Sequence, residues 1–330
     1  MRAAYYERTG PARDVLTIGE LPTPAPAAGE VRVQVAWSGV NPSDVKSRAG
    51  TRTKTLAFPR IVPHSDGSGV IDAVGEGVDR SRIGERVWIW NAAWGRAFGT
   101  AAEYVVLPSQ QAVPLPDGVD LEVGACLGIP ALTAFHAIHV DGGVQDKTVL
   151  IAGGAGAVGH YAIQFARLAG ASRVFTTVSS DEKARLAREA GADEVINYRS
   201  EDVAARCAGL TGGDGVDRIV EVDLSANTGL DLQILKPGGE IVVYGSNAGE
   251  IAVPFVPAIV KMARFRFFIV YNLAADDRRR AEAELTRLLS GTALAHNIAA
   301  RLPLERIAQA HELVEEGRAV GNVVLQTMLG

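Results

Sequence analysis

Lys147-Thr148-Val149-Leu150-Ile151-Ala152-Gly153-Gly154-Ala155-Gly156-Ala157-Val158-Gly159-His160 is the stretch on which the fold turns. Val149 to Ala152 is a short apolar run of the kind that fills a buried parallel strand. Gly154, Gly156 and Gly159 then fit G-x-G-x-x-G. From Ala157 to Ala169 the apolar side chains Val158, Ala162, Phe165 and Leu168 fall at helical spacing. The motif therefore lies between a strand end and a helix start, the context its physics needs. Glycine lets the backbone turn tightly and approach a diphosphate. The first turn of a helix adds free N–H groups and the positive end of its dipole. A dinucleotide site is predicted here. The alternative is a glycine-rich turn that only packs helix on sheet.

Working outward, strands and helices alternate. Helix Ala131 to Val140 precedes the motif. After it come strand Arg173 to Val178, helix Asp181 to Ala190, strand Glu194 to Ile196 and helix Glu201 to Leu210. Strand Asp217 to Val222, helix Leu230 to Leu235 and strand Glu240 to Tyr244 follow. This alternation predicts a doubly wound parallel sheet, an α/β fold. The first third reads differently. Val31 to Val35, Gly69 to Val74, Arg86 to Trp90 and Tyr104 to Leu107 are strand-like and punctuated by prolines. Asn41-Pro42-Ser43-Asp44 looks like a helix start, with an Asn cap and Pro at the first helical position. Past the alternating region lie a strand-like Arg264 to Tyr271, helices Asp276 to Ser290 and Leu304 to Glu316, and a strand Val323 to Gln326. The expected organisation is a β-rich segment 1–125, a nucleotide-binding domain 126–265, and a segment 266–330 that supplies an edge strand and returns to the first domain.

The bulk properties narrow the function classes. A net charge of −5 gives no pull toward nucleic acid or anionic lipid, so no nucleic-acid partner is expected. The two cysteines, Cys126 and Cys207, make neither a disulfide framework nor a multi-cysteine zinc lobe. Met1 to Arg8 has no apolar core, so no signal peptide is expected. Apolar runs such as Phe267 to Tyr271 are too short to span a membrane. The expectation is a cytoplasmic protein. His136 and His139 share a helix face, but no acid or cysteine joins them as a third ligand.

An NAD site places an acid at the end of the second strand to hold the ribose 2′-OH. Here that strand ends Thr176-Thr177-Val178-Ser179-Ser180, with hydroxyls in place of the acid. Lys183 follows in the first helical turn, and Tyr198 ends the next strand. A carboxylate would repel a 2′-phosphate, whereas hydroxyls and an ammonium accept it. The reading is NADPH. Against it, Lys183 is also what a solvated helix residue looks like, and Tyr198 a surface packing residue. Asp181 and Glu182 fit the helix dipole.

Ser38-Gly39-Val40-Asn41-Pro42, Pro63-His64-Ser65-Asp66-Gly67-Ser68-Gly69-Val70, Gly128-Ile129-Pro130-Ala131-Leu132-Thr133-Ala134, Val195-Ile196-Asn197-Tyr198-Arg199 and Lys236-Pro237-Gly238-Gly239 join the glycine turn in a family likeness. Nearly end to end, the chain resembles the zinc-independent, ζ-crystallin-like quinone oxidoreductases of the medium-chain dehydrogenase/reductase superfamily. The resemblance implies a GroES-like catalytic domain around a Rossmann domain, with the active site in the cleft between them. Zinc-dependent members hold their metal with Cys, His and a second Cys or an acid. Those positions are Asn41, Ser65 and Ile129 here, and His64 lies beside the ligand position, so no metal is expected. Without a Lewis acid, a quinone or an α,β-unsaturated carbonyl is the better substrate, because it delocalises the charge it gains.

The resemblance also implies roles. Ala155, Gly156, Ala157 and Val158 would wrap the diphosphate, and Ser179, Ser180, Lys183 and Tyr198 would surround the 2′-phosphate. Asn227, Tyr244, Gly245, Ser246 and Asn247 would lie along the ribose units. Val270, Tyr271 and Asn272 would approach the carboxamide. Asn41 and Thr133 would flank the nicotinamide, with no acid–base residue assigned, although Asn41 also reads as a plain helix cap. Lys46, Arg52, Trp94 and Tyr271 would line the substrate pocket, although Lys46 and Arg52 also read as solvated charges. Asn322 stands where relatives often carry Lys. Trp88 and Trp90 read as core. Two other functions stay open: an NADPH-dependent enone or enoyl-thioester reductase, and a non-catalytic NADPH-binding protein. A short-chain dehydrogenase is not expected, since no Tyr has Lys four residues on. The apolar edge Arg264 to Tyr271 predicts a homodimer or homotetramer.

Overall fold

The computed structural model describes residues 1–51, 53–291 and 294–328. The chain forms two compact units. One is Met1–Pro130 together with the chain from Glu282 on; the other is Ala131–Ala281. The first unit contains β1 (Arg2–Tyr5), β2 (Thr17–Glu20), β3 (Glu30–Val40), β4 (Asp66–Val74), β5 (Arg86–Ile89), β6 (Tyr104–Pro108) and β7 (Ala112–Pro114). The second holds β8 (Thr148–Ile151), β9 (Arg173–Val178), β10 (Glu194–Asn197), β11 (Val216–Glu221), β12 (Leu235–Val243) and β13 (Arg264–Phe267). The chain returns to the first unit with β14 (Ile298–Pro303) and β15 (Asn322–Gln326).

In the first unit the strands run in the order β14-β15-β3-β4-β5-β7, and β6 also pairs with β3. Most pairings are antiparallel; β14 and β15 are parallel. The alternation of β3 puts Val31, Val33 and Val35 on one buried face, against Ile71, Val87, Ile89, Val105 and Leu107. This is the β-rich domain that the proline-punctuated runs suggested and that the family resemblance implies to be GroES-like. Its helix Pro42–Ala49 starts at Asn41, whose N–H donates to Asp44 Oδ2 at 2.9 Å.

The second unit is a six-stranded sheet in the order β10-β9-β8-β11-β12-β13, parallel throughout. Strand order reverses between β8 and β11, the switch point where a doubly wound sheet binds its ligand. The core behind it takes Leu150, Phe175, Ile196, Ile219 and Ile241 from five successive strands. Continuous apolar runs made these strands legible, because both faces are covered.

The elements depart from the sequence expectation in four places. The helix expected at Leu230 to Leu235 is Leu224–Ile234, and Leu235 already belongs to β12. Gly229 and Thr228 in its middle, and the buried polar Thr228 and Asp231 on its inner face, hide its periodicity. The strand expected at Arg264 to Tyr271 stops at Phe267, and Val270–Asn272 forms a 3-10 turn. The pair β1–β2, the short β7, helix Phe255–Val260 and β14 had no clear pattern in the sequence. The second unit runs to Ala281 rather than to Phe265, because β13 pairs with β12 and Arg278 then donates to Val270 O. Among the described residues no helix is long and apolar enough to cross a membrane.

Candidate cofactor and active site

The glycine turn follows β8. Gly153 adopts φ +70° and Gly154 N–H donates to Thr177 O at 3.2 Å, which ties the turn to β9. A Cβ on Gly154 would lie 2.1 Å from Thr176 Oγ1, and one on Gly159 would lie 2.3 Å from Gly153 O. Those two glycines are demanded by packing. Gly156 is not: its φ is −72°, and a Cβ there would meet only Gly153 O at 3.2 Å. It is the N-cap of helix Ala157–Leu168, with no side-chain hydrogen bond to satisfy the first turn. A glycine that packing constrains less than Gly154 and Gly159, at an uncapped helix start, suits an approaching anion. Ala155 is buried beside it, and Ala157 and Val158 form the first turn.

The expected 2′-phosphate residues come together at the ends of β9 and β10. Ser180 is the N-cap of helix Asp181–Glu189, and its Oγ accepts from Lys183 N–H at 3.3 Å. Lys183 Nζ folds back and donates to Ser179 Oγ at 3.0 Å. Tyr198 N–H donates to Val178 O at 3.1 Å, and its ring is exposed. One ammonium, two hydroxyls and a phenol thus share one strand-end surface, and no carboxylate ends β9.

Past the switch point lies a second polar group. Asn227 Nδ2 donates to Glu221 Oε1 at 3.0 Å. Asn247 donates to Asp223 through both its backbone N–H, at 3.0 Å, and its Nδ2, at 2.7 Å. Ser246 Oγ donates to Ala248 O. Gly245 is required, since a Cβ would lie 2.1 Å from Val222 O. Tyr244 is half-buried, and desolvation followed by the Glu221 charge pushes its phenol up. Asp231 is pushed up to about 9, by burial and then by Glu221. Sequence reasoning named Asn227 and Tyr244 to Asn247 but missed Glu221, Asp223 and Asp231. Their signal was an acid at the end of an apolar strand and another in the helix after it. Val270 is buried, Tyr271 half-buried and Asn272 exposed. Thr133 is buried in helix Leu132–His139 of this same unit.

In the first unit, Asn41 is buried and its Nδ2 donates to Asp66 Oδ2 at 2.8 Å. Ile129 N–H donates to the same oxygen at 3.0 Å. Asp66 is fully buried, and burial, then the nearby Asp44, holds its carboxyl well above the usual range. Asn41, Ser65 and Ile129 offer an amide, a hydroxyl and an alkyl chain where zinc would need thiolate, imidazole or carboxylate, so these residues do not fit the metal. No set of three or more His, Cys, Asp and Glu among the described residues could hold one. Burial and the neighbouring Asp66 push the Cys126 thiol up, away from the ligating form.

The pocket residues are less drawn together. Lys46 is half-buried on helix Pro42–Ala49, and Trp94 is largely exposed in a turn where its N–H donates to Asn91 O. Arg52 lies outside the described residues. Trp88 and Trp90 are core, as expected. Asn322 is buried in β15, and its Nδ2 donates to Asn297 O at 3.0 Å, a bond that serves the sheet.

Known proteins agree with this architecture. Residues 27–117 match the alcohol dehydrogenase GroES-like domain, and residues 157–290 match the zinc-binding dehydrogenase family. A quinone oxidoreductase of Lama guanicoe is 30% identical over 327 residues, covering 98% of this chain and 97% of that protein. The chain belongs to the quinone oxidoreductase family. Two solved structures are similar to it from end to end. An NAD-dependent alcohol dehydrogenase superposes with TM-score 0.90 at 31% identity over 100% of both chains. A mycobacterial protein complexed with NADPH superposes with TM-score 0.87 at 29% identity over 99% of both chains. Within the quinone oxidoreductase family this chain is a zinc-independent member, since its residues at the three ligand positions cannot hold the metal.

Proposed function

We propose that the chain is a zinc-independent, NADPH-dependent quinone reductase. The observation that carries the choice of cofactor is the cluster of Ser179, Ser180, Lys183 and Tyr198 at the ends of β9 and β10. A 2′-phosphate brings about −1.5 to −2 charges, which the Lys183 ammonium pairs and the hydroxyls hydrogen-bond. When bound, the cofactor supplies a hydride from its nicotinamide ring. The residues then have three tasks. The Gly156 turn and helix Ala157–Leu168 would hold the diphosphate, Tyr244 to Asn247 and Val270 to Asn272 would hold the ribose and carboxamide, and Asn41 and Thr133 would position the reacting ring. A quinone spreads the incoming electron density over its own ring, so hydrogen-bond donors suffice where a simple ketone would need a Lewis acid.

The test is fluorescence titration with NADPH and NADH, followed by turnover of a quinone panel and a simple enone with and without chelator. Tighter NADPH binding and chelator-insensitive quinone turnover support the reading. NADH preference overturns the phosphate site. Enone-only turnover reassigns the chain to double-bond reduction, and binding without turnover makes it a non-catalytic NADPH protein.

We also infer a cytoplasmic homodimer. β13 is the outer strand of its sheet. Beside it helix Phe255–Val260 leaves Phe255 73% and Val260 68% exposed, with Met262 and Phe267 nearby in sequence and also exposed. An open edge flanked by large apolar side chains suits antiparallel pairing with a second copy. Sedimentation at micromolar concentration should give a dimer that Phe255→Asp with Ile259→Asp dissociates. A wild-type monomer would sink the idea.

A further inference from the structure

Asp66 is an expensive residue to keep where it is. It sits at the start of β4 with no exposed surface. Its Oδ2 accepts both the Asn41 Nδ2 and the Ile129 N–H hydrogen bonds. Its Oδ1 is buried and has no hydrogen-bond partner. Gly128 makes room for that oxygen, because a Cβ there would lie 2.4 Å from it. A buried polar atom left unpartnered lowers stability, and an apolar side chain of similar volume would avoid the loss. Such a residue is kept for something other than packing.

The surroundings fix Asp66 closely. Thr100 Oγ1 donates to its backbone carbonyl. Ser38 Oγ bonds to Thr100 Oγ1 and to His64 Nδ1, both at 2.8 Å, and His64 Nε2 meets His311 Nε2 at 2.9 Å. Asn41 is held from the other side by its own N–H to Asp44 Oδ2. The amide of Asn41 thus lies between a fixed acceptor and a fixed backbone.

We propose that Asp66 is the positioning residue of the site: by accepting one of the two Nδ2 hydrogens of Asn41 it fixes the amide plane and leaves the second hydrogen for the reactants. The proposal rests on the reading above that Asn41 contacts the nicotinamide or the substrate. Burial raises the Asp66 carboxyl well above its usual range, which favours the neutral form beside the oxygen that gains charge in the reaction.

The test is a double-mutant cycle of Asp66→Ala and Asn41→Ala, with Asp66→Asn as the conservative variant. Steady-state kinetics, NADPH titration and thermal unfolding are read for each. Asp66→Ala should lower kcat about 10- to 100-fold and leave NADPH affinity within about twofold, the loss of a fixed donor alone. Asp66→Asn keeps an acceptor oxygen and should recover most of that loss. The double variant should be no slower than Asn41→Ala, because the two act as one unit. If Asp66→Ala does not fold, Asp66→Leu takes its place. A folded Asp66→Ala or Asp66→Leu with wild-type kcat, effects that multiply in the double variant, or an Asp66→Asn as slow as Asn41→Ala each overturn the positioning role. Wild-type kcat in Asn41→Ala instead overturns the underlying reading of Asn41.

Discussion

Gly154 and Gly156 stand two residues apart in one turn, and the fold constrains the first far more than the second. A methyl on Gly154 would collide with Thr176 Oγ1, which is itself fixed because it donates to Ile151 O at 2.6 Å. Gly154→Ala should therefore destabilise the protein by about 1–3 kcal/mol, the usual cost of overpacking, visible as a lower midpoint in urea. Gly156→Ala should unfold at nearly the wild-type midpoint yet bind NADPH about tenfold more weakly, because its methyl occupies the space of the diphosphate. Equal loss of stability in both variants would mean the turn has no ligand-facing position. Lys183→Ala tests the neighbouring phosphate site. It should raise the KM for NADPH about tenfold and leave that for NADH unchanged. These positions were legible in the sequence because motif spacing fixes them along a single strand–turn–helix. Asp66 and Asp231 were not, because an acid's burial depends on partners distant along the chain. Asn41 lies 25 residues from its acceptor.

At the scale of elements, buried Arg218 joins three of them. Its guanidinium donates to Ile138 O at 2.9 Å and Val140 O at 2.8 Å, capping the end of helix Leu132–His139, and pairs with Glu240 on β12 at 2.6 Å. Both side chains are almost wholly buried. Removing one partner of such a pair strands a buried charge, which costs about 3–5 kcal/mol. Glu240→Gln should therefore lower the melting temperature by roughly 10 °C, at 2–4 °C per kcal/mol. Arg218→Met with Glu240→Leu should recover part of that loss, because no charge remains to be solvated. A double variant less stable than both single ones would show that capping the helix outweighs the ion pair. The helix at stake carries Thr133, which the proposed function sets beside the nicotinamide. Its strand was legible from the apolar run that follows Arg218, but its partner was not, since β11 and β12 are separated by a whole helix. Helix Phe255–Val260 escaped notice for the opposite reason. It buries none of its own side chains, so no apolar face alternates with a polar one.

Across the whole molecule the buried ionisable groups set how stability varies with pH. Burial pushes His64 down to about 3 and holds His311 well below the usual imidazole range. Both are neutral in the folded chain, whereas an unfolded histidine takes up a proton near pH 6.5. As pH falls below 6.5 the unfolded state binds more protons, and stability drops by about 1.4 kcal/mol per pH unit for each histidine. Asp66 and Asp231 act in the opposite sense. Both are raised, Asp231 to about 9, so the folded chain keeps protons that the unfolded chain releases near pH 4. Their contribution is greatest at low pH and is lost at the same slope as pH rises toward their folded values. From about pH 4 to 6.5 the lowered histidines, His136 and His160 among them, oppose the raised acids, which include Glu221, so the two sets of slopes act against each other. Above 6.5 the histidines no longer titrate in either state and only the acids act, so stability falls up to about pH 9. Thermal unfolding should accordingly show a shallower pH dependence on the acid side of neutrality than the histidines alone would give, and a decline above it. Asp231→Asn, which keeps the volume but cannot ionise, should flatten that decline, while His64→Gln should lessen the loss of stability on acidification below pH 6.5 and leave the decline above it unchanged. A melting temperature that climbs from pH 6.5 to 9 would mean the buried carboxyls are ionised in the folded chain. Asp66 would then press a negative charge against the Asn41 amide, and a neutral positioning group could no longer be assigned there.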